Sequence, residues 1–396
     1  MFPGIPNHSF LVRFRPTGPW RFGSNSGARD RLELVYHSDA AFSAVTTAMA
    51  RLGYLEEWLD ATARGTGVPA VRFSSFFPFQ GDALLVIPPR SHWPPPESAK
   101  VRYKGARFVP LSVVNTLLEG GEVDENKWAV DGESQCLVPE RNAQQGPFRT
   151  VLRSNAAVDR LEPGKVAEHA TACLEFARDA GLWTLVVFAG EAAQAQWQER
   201  VRAAFRLLAD SGFGGERSRG WGRSEMPTWQ ALSRRSERKP APVQVPEIAP
   251  AAQAEDAEVA SEAESASVAR QENALEEVAL NEVAFEEFPT EPPPAAEEAT
   301  VPHQAYWLLS VFTPAASDQI DWARGNYATL TRRGRIESAA GWGGLKLPTL
   351  MVAEGSVLVC ENEPQGAVRD TAPQGFAHPV FRAGFAVALP LKARPA

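Results

Sequence analysis

Across residues 238–302 the chain is built mostly from Ala, Glu, Val, Pro and Ser, and that stretch limits what the rest can form. Fifteen carboxylates fall between Glu247 and Glu298 against the single Arg270. With so few large apolar side chains the segment cannot bury enough surface to offset the entropy of ordering it, so it is expected to be a disordered acidic linker and a passive tether, with at most a transient helix over 273–288. The chain is thereby divided into a long first part, 1–237, the linker, 238–302, and a smaller second part, 303–396.

The linker also hides the sign of the remaining charge. The whole chain carries −8, but 247–298 alone contributes −14, which leaves +6 on the remainder, so the parts expected to fold are basic. Those parts suit a polyanion. At 396 residues and 44% hydrophobic there is material for about two or three cores. No run is apolar for long enough to cross a bilayer, and the start lacks a basic region followed by an apolar one, so a cytoplasmic protein with no membrane partner is expected. Cys136, Cys173 and Cys360 are far apart with no C-x-x-C spacing. They read as small core residues, not as a disulfide framework or a zinc site.

The segment 212–223 holds five glycines, three arginines and two aromatics: Gly212-Phe213-Gly214-Gly215-Glu216-Arg217-Ser218-Arg219-Gly220-Trp221-Gly222-Arg223. Glycines let main-chain N–H groups turn toward an anion, guanidiniums add paired donors and rings can stack on bases, so the loop is expected to cradle a phosphodiester chain. A helix C-cap and tight turn would need fewer glycines and no arginine cluster. Two nucleotide loops are excluded by spacing. The dinucleotide pattern from Gly212 requires glycine where Arg217 stands, and the triphosphate pattern from Gly215 meets Trp221 and Gly222 in place of Lys and Ser or Thr.

Around this loop the periodicity predicts a strand over 9–15 with Phe10, Val12 and Phe14 on one face, then one amphipathic helix over 39–61 with Ser38 as its N-cap. Short strands are expected at 71–73 and 83–87, a hairpin from 171–177 and 182–189, a second helix over 191–211 and a strand over 223–229. The order strand, helix, strands, helix, strand is that of a ferredoxin-like sandwich enlarged by insertions, whose sheet face could serve as an RNA platform. In the second part, strands are expected over 306–312, 327–336, 349–352, 357–360 and 380–389, with little helix. The fold class is α+β.

Further basic stretches are Arg149, Arg153 and Arg160 around Asn155, and Arg102, Lys104 and Arg107. Each reads equally well as a solvated face or as a source of backbone contacts. Trp58, Trp183 and Trp197 lie on apolar patterns and are expected in the core, whereas Trp20 and Trp221 stand beside arginines and are stacking candidates.

Several segments resemble a known family: 14–23 (Phe14-Arg15-Pro16-Thr17-Gly18-Pro19-Trp20-Arg21-Phe22-Gly23), 37–44 beginning His37-Ser38-Asp39, 73–79 (Phe73-Ser74-Ser75-Phe76-Phe77-Pro78-Phe79), 157–160, the glycine loop and 378–386. The chain resembles the RAMP-superfamily subunit that caps the 5′ handle of the crRNA in the type III-A CRISPR (Csm) interference complex, the fourth Csm subunit. The resemblance spans nearly everything except the linker. It implies two ferredoxin-like (RRM-like) lobes, no cofactor, and a non-catalytic scaffold that contacts the large polymerase/cyclase-like subunit and the RAMP backbone subunit in antiviral defence. The RNA-contacting set would be Arg15, Arg21, Phe22, Gly23, His37, Ser38, Arg149, Arg153, Asn155, Arg160, Gly214, Gly215, Arg217, Ser218, Arg219, Gly220, Trp221, Gly222 and Arg223. The start of the first helix offers free N–H groups to a phosphate, although Asp39 there suits the helix dipole better than a polyanion.

Two alternatives remain open at this point, the equivalent subunit of a type III-B complex and a RAMP-class endoribonuclease that processes precursor crRNA with a histidine acid or base. Of the six histidines only His37 falls beside the expected RNA surface, and Asp30, Asp39, Asp82 and Asp159 show no metal-ligand spacing.

Overall fold

The computed structural model describes residues 2, 4–23, 28–65, 67–95, 103–143, 145–158, 166–232, 303–338 and 341–392. The acidic linker, Arg160 and Arg102 lie outside these. Residues 1–234 and 301–396 form one compact unit.

The chain order is β1 (Ser9–Phe14), α1 (Ser38–Leu52), α2 (Leu55–Thr62), β2 (Val71–Phe73), β3 (Phe77–Gln80), β4 (Ala83–Val86), β5 (Val109–Pro110), α3 (Leu111–Leu118), β6 (Trp128–Asp131), β7 (Cys136–Pro139), β8 (Phe148–Val158), β9 (Val166–Phe176), β10 (Ala180–Phe188), α4 (Glu191–Ser211) and β11 (Thr228–Leu232). The main sheet has the order β11-β1-β10-β3-β4-β5, with β2 also on β10. Its pairings are antiparallel, so Phe10, Val12 and Phe14 stand opposite Val186, Thr184 and Leu182. Phe14 and Phe205 of α4 meet edge to face at 5.3 Å, which seats α4 on that side of the sheet.

Among the described residues the centre of the expected sheet-face platform is covered. Every residue of β10 is buried. On the side away from α4, Trp183 packs on Phe2 and Phe77 and donates its Nε1–H to the Pro78 and Leu85 carbonyls. Two local expectations also change. The single helix over 39–61 is two helices, because Gly53 takes φ 82° and closes α1 in the left-handed conformation that a side chain resists. The expected hairpin between 171–177 and 182–189 is absent: β9 pairs with β8 in an eleven-residue ladder, while β10 enters the main sheet. Both arms are apolar and lie close in sequence, so local pattern alone cannot separate pairing with each other from pairing elsewhere.

The second part follows as β12 (Gln304–Leu308), β13 (Ile320–Asn326), β14 (Thr329–Arg332), β15 (Arg335–Ser338), β16 (Gly341–Leu345), β17 (Thr349–Val352), β18 (Val357–Cys360), β19 (Gly366–Asp370), β20 (Phe381–Phe385) and β21 (Ala388–Leu391). Its largest sheet is β13-β18-β12-β21. The principal hydrophobic core is continuous between the two parts, since Trp307, Leu309, Phe385 and Leu389 join the cluster that holds Phe14, Phe42 and Trp183. Phe42 of α1 meets Phe385 of β20 at 5.8 Å. Trp58, Trp183 and Trp197 are fully buried, as expected.

Candidate nucleic-acid interface

The glycine loop is short-circuited by its own packing. After α4, Gly212, Gly214, Gly220 and Gly222 all take φ near +80°. The loop backbone lies against residues 19–21: Gly215 N–H donates to the Arg21 carbonyl at 2.8 Å, and Gly222 N–H to the Pro19 carbonyl at 2.9 Å. A Cβ on Gly222 would stand 2.1 Å from the Phe213 oxygen, and one on Gly214 would stand 2.5 Å from the Arg21 oxygen. Gly212, Gly214 and Gly222 are therefore required by close approach of backbone to backbone, and at least two of the loop N–H groups face the protein instead of an anion.

What the loop presents outward is its short helical turn, Arg217–Arg219, entered through Glu216 at φ 59°. Arg217 reaches Glu337 on β15 at 2.5 Å. Arg219 holds Glu216 at 3.2 Å and lies 3.4 Å from His169 Nε2 on β9. Ser218, Arg219 and Arg223 are exposed. In the β8–β9 register His169 faces Asn155, Thr171 faces Arg153 and Glu175 faces Arg149. Alternation puts Arg149, Arg153, Asn155 and His169 on one face of the ribbon. Arg153 and Arg149 share Glu175, at 2.6 and 3.1 Å, and its carboxyl titrates below the usual range, chiefly through the Arg153 hydrogen bond. Two stretches far apart in sequence thus converge, the loop tip and the β8–β9 face. His169, missing from the sequence-based set, sits where they meet. Only the strand register reveals it.

Other expected contacts are interior. Arg21 is buried, donating to the carbonyls of Arg29 at 2.8 Å, Ala172 at 2.7 Å and Ala28 at 2.8 Å, and burial lowers its pKa. Phe22, Trp20 and Trp221 are core residues, with Trp20 donating to the Arg223 carbonyl at 2.9 Å. Trp20 and Trp221 are thus not stacking platforms. Arg15 and Gly23 are exposed.

His37, Ser38 and Asp39 form a junction between the two parts of the chain. His37 Nδ1 lies 2.7 Å from Glu354, whose other partner is the Ser75 hydroxyl. Ser38 Oγ does not cap its own helix. It accepts the Val311 N–H at 3.1 Å, and the Ser38 N–H donates to Ser75 Oγ at 2.9 Å. Asp39 takes a forked bond from Arg332, Nε to Oδ2 at 3.1 Å and Nη2 to Oδ1 at 3.0 Å, and another from Arg382 Nη1 at 2.5 Å. Burial opposes ionisation of Asp39, but the two guanidiniums outweigh it and hold the carboxyl far below its ordinary value. All three side chains are nearly inaccessible, so direct RNA contact by His37 and Ser38 gives way to a structural role. Among the described residues no cluster of His, Cys, Asp or Glu could hold a metal, and no helix is long and apolar enough to cross a membrane.

With this geometry in place, comparison with known proteins finds similarity in sequence for the second part and in fold for the whole chain. Residues 302–391 match the family model of the CRISPR Csm4 C-terminal domain. Over the whole length, a chain of the crystal structure of the Csm3–Csm4 subcomplex of the type III-A CRISPR–Cas interference complex is 14% identical with a TM-score of 0.54, covering 97% of this chain and 100% of that one. A chain of the Csm1–Csm4 cassette in complex with cA4 is also 14% identical, with a TM-score of 0.47 and coverage of 98% and 99%. Only the former is close enough to establish a shared mixed α/β fold. No curated protein sequence matches this chain. The resemblance to the fourth Csm subunit therefore holds for the C-terminal part by sequence and for the whole chain by fold.

Proposed function

We propose that this chain is a non-catalytic, RNA-binding scaffold subunit of a type III-A CRISPR effector complex. It would hold the 5′ handle of the crRNA and dock the large polymerase-like subunit and the RAMP backbone subunit in the cytoplasm. The match of residues 302–391 to the Csm4 C-terminal domain carries the family part of the reading, and a structure of similar fold comes from a Csm3–Csm4 assembly. The observation that carries the RNA part is the convergence of Arg219 and His169 with the β8–β9 face bearing Arg149, Arg153 and Asn155. Domain limits of 1–237, 238–302 and 303–396 are proposed with it. A ferredoxin-like first lobe is supported by the strand order β11-β1-β10 followed by β2 or β3, with α1 and α4 as the two crossovers.

The guanidiniums of Arg217, Arg219 and Arg223 would neutralise phosphates, exchanging Glu337 and Glu216 for the strand where they are paired. Replacing all three with Ala should flatten the dependence of log K on log salt by up to about 2, at about 0.7 per contact to a single strand. Filter binding of a labelled handle RNA across a salt series measures this. A slope equal to that of the unaltered chain would remove the loop from the interface.

A further inference from the structure

Below the outer tip of the glycine loop lies a cleft of about 280 Å³, formed by α1, the C-terminal end of α4, Gly214 and the β14–β15 turn. Its lining is strongly cationic. Arg51, Arg332, Arg333, Arg335, Lys346 and Arg382 are joined by Arg217, against two carboxylates, Asp39 and Glu337. Both carboxylates are already engaged, Asp39 by Arg332 and Arg382, and Glu337 by Arg217.

Arg382 supplies the second observation. It is 4% exposed, and one nitrogen, Nη1, binds Asp39. Among the described residues Nε and Nη2 have no hydrogen-bond partner. Nη2 is placed at the cleft wall, 3.9 Å from where a Cβ on Gly334 would stand. A buried guanidinium with two idle donors is costly unless something accepts from it. Lys346, at the same wall, donates to Ser43 Oγ at 3.3 Å and is held near pKa 8 by burial and by Arg382 and Arg332. So much positive charge gathered around two engaged carboxylates, with a guanidinium that has two unpartnered nitrogens in the wall of a space at the small end of the ~300–1,000 Å³ of small-molecule sites, asks for a compact anion.

We propose that this cleft binds a phosphate group through Arg382, Lys346 and their cationic neighbours. Given the RNA-binding reading above, on which this assignment of source rests, the group is one phosphate of the strand crossing the glycine loop, so the second part of the chain contributes to the RNA site. Nε and Nη2 are closed to water in the unliganded chain, so a phosphate in the cleft would draw that edge of the Arg382 guanidinium outward while Asp39 keeps Nη1. Of these C-terminal residues only Arg382 falls in a segment that carries the resemblance, 378–386.

The test uses the full chain and two probes, inorganic phosphate and a short single-stranded handle RNA. Thermal denaturation is run in phosphate and in chloride at matched ionic strength, and RNA affinity is measured in chloride. Arg382→Gln addresses the idle donors directly. Lys346→Gln leaves the Asp39 pairs intact and covers the case in which Arg382→Gln does not fold. The expected result is a midpoint several degrees higher in phosphate, reduced in both variants, with RNA binding weakened about tenfold by loss of one charge-assisted contact. A midpoint indifferent to phosphate, together with unchanged RNA affinity in Lys346→Gln, overturns the proposal even where the loop arginines still govern RNA binding. A phosphate response that Lys346→Gln abolishes, in a chain that binds no RNA, supports the cleft as a site for free phosphate and removes the RNA reading alone.

Discussion

Asp39→Asn tests whether the junction between the two parts of the chain is held by charge. The substitution keeps the side-chain shape and removes the one carboxylate shared by Arg332 and Arg382, which are 7% and 4% exposed. Breaking a buried pair by deleting one partner costs about 3–5 kcal/mol, because the remaining charge has lost its compensation. Here two guanidiniums are stranded, so the upper half of that range, about 4–5 kcal/mol, is expected. For a folded unit of this size about 2 °C per kcal/mol corresponds to a midpoint lower by roughly 8–10 °C. Urea denaturation at pH 7 gives the free energy. A loss under about 1 kcal/mol would refute the reasoning. Two controls sharpen it. Replacing all three residues together by apolar ones, Asp39→Leu with Arg332→Met and Arg382→Leu, removes the charges along with their desolvation cost and should recover most of the loss. The pH profile supplies the other. The folded carboxyl titrates below its unfolded value, so its contribution is fully present above about pH 4 and is lost as the pH falls toward the folded pKa. The wild-type chain should lose that stability in acid, and Asp39→Asn should lack that portion of the loss.

This junction also shows where reading the sequence fails. The His37-Ser38-Asp39 segment is one of those on which the resemblance was drawn, yet its role could not be read locally, because Glu354, Val311, Arg332 and Arg382 are 273 to 343 residues away. A helix start with a serine and an aspartate looks like a cap, and here both side chains bond across to the other part instead. In the loop, the cluster of glycines was legible and its reason was not. Five glycines fit an anion cradle as well as they fit two backbones in contact, and only the position of Arg21 and Pro19 against 212–222 decides. Helices survived best, since α1 and α4 bury one stripe each at a 3.6-residue period. Strand pairing did worst. The β8–β9 ladder that places His169 beside Arg219 depends on register, to which apolar content is indifferent.

Three further outcomes are expected. Gly220→Ala and Gly222→Ala force the same left-handed backbone, but a Cβ at 220 meets open space and one at 222 meets the Phe213 oxygen. The first should cost about 1–2 kcal/mol and the second clearly more by urea denaturation, and equal losses would contradict the close-approach account. Incubated with a repeat-containing RNA, with and without magnesium, the chain should yield no discrete product, because His37 is buried against Glu354. A product that disappears in His37→Ala would overturn the scaffold reading. The last concerns Lys346, which burial, Arg382 and Arg332 push down to about pKa 8, with Asp39 in partial opposition. Between about pH 8 and the unfolded value near 10.4 the unfolded chain holds a proton that the folded chain has released, so stability rises with pH across that window, and the full penalty stands below it. Lys346→Met should therefore stabilise the chain by about 1–2 kcal/mol more at pH 7 than at pH 10.5, after discounting for the partial exposure of the side chain. The same gain at both values would mean that packing, not charge, sets it. Saturating phosphate should shrink the pH 7 gain, because a bound anion relieves the repulsion that makes a cation at this position unfavourable in the unliganded chain.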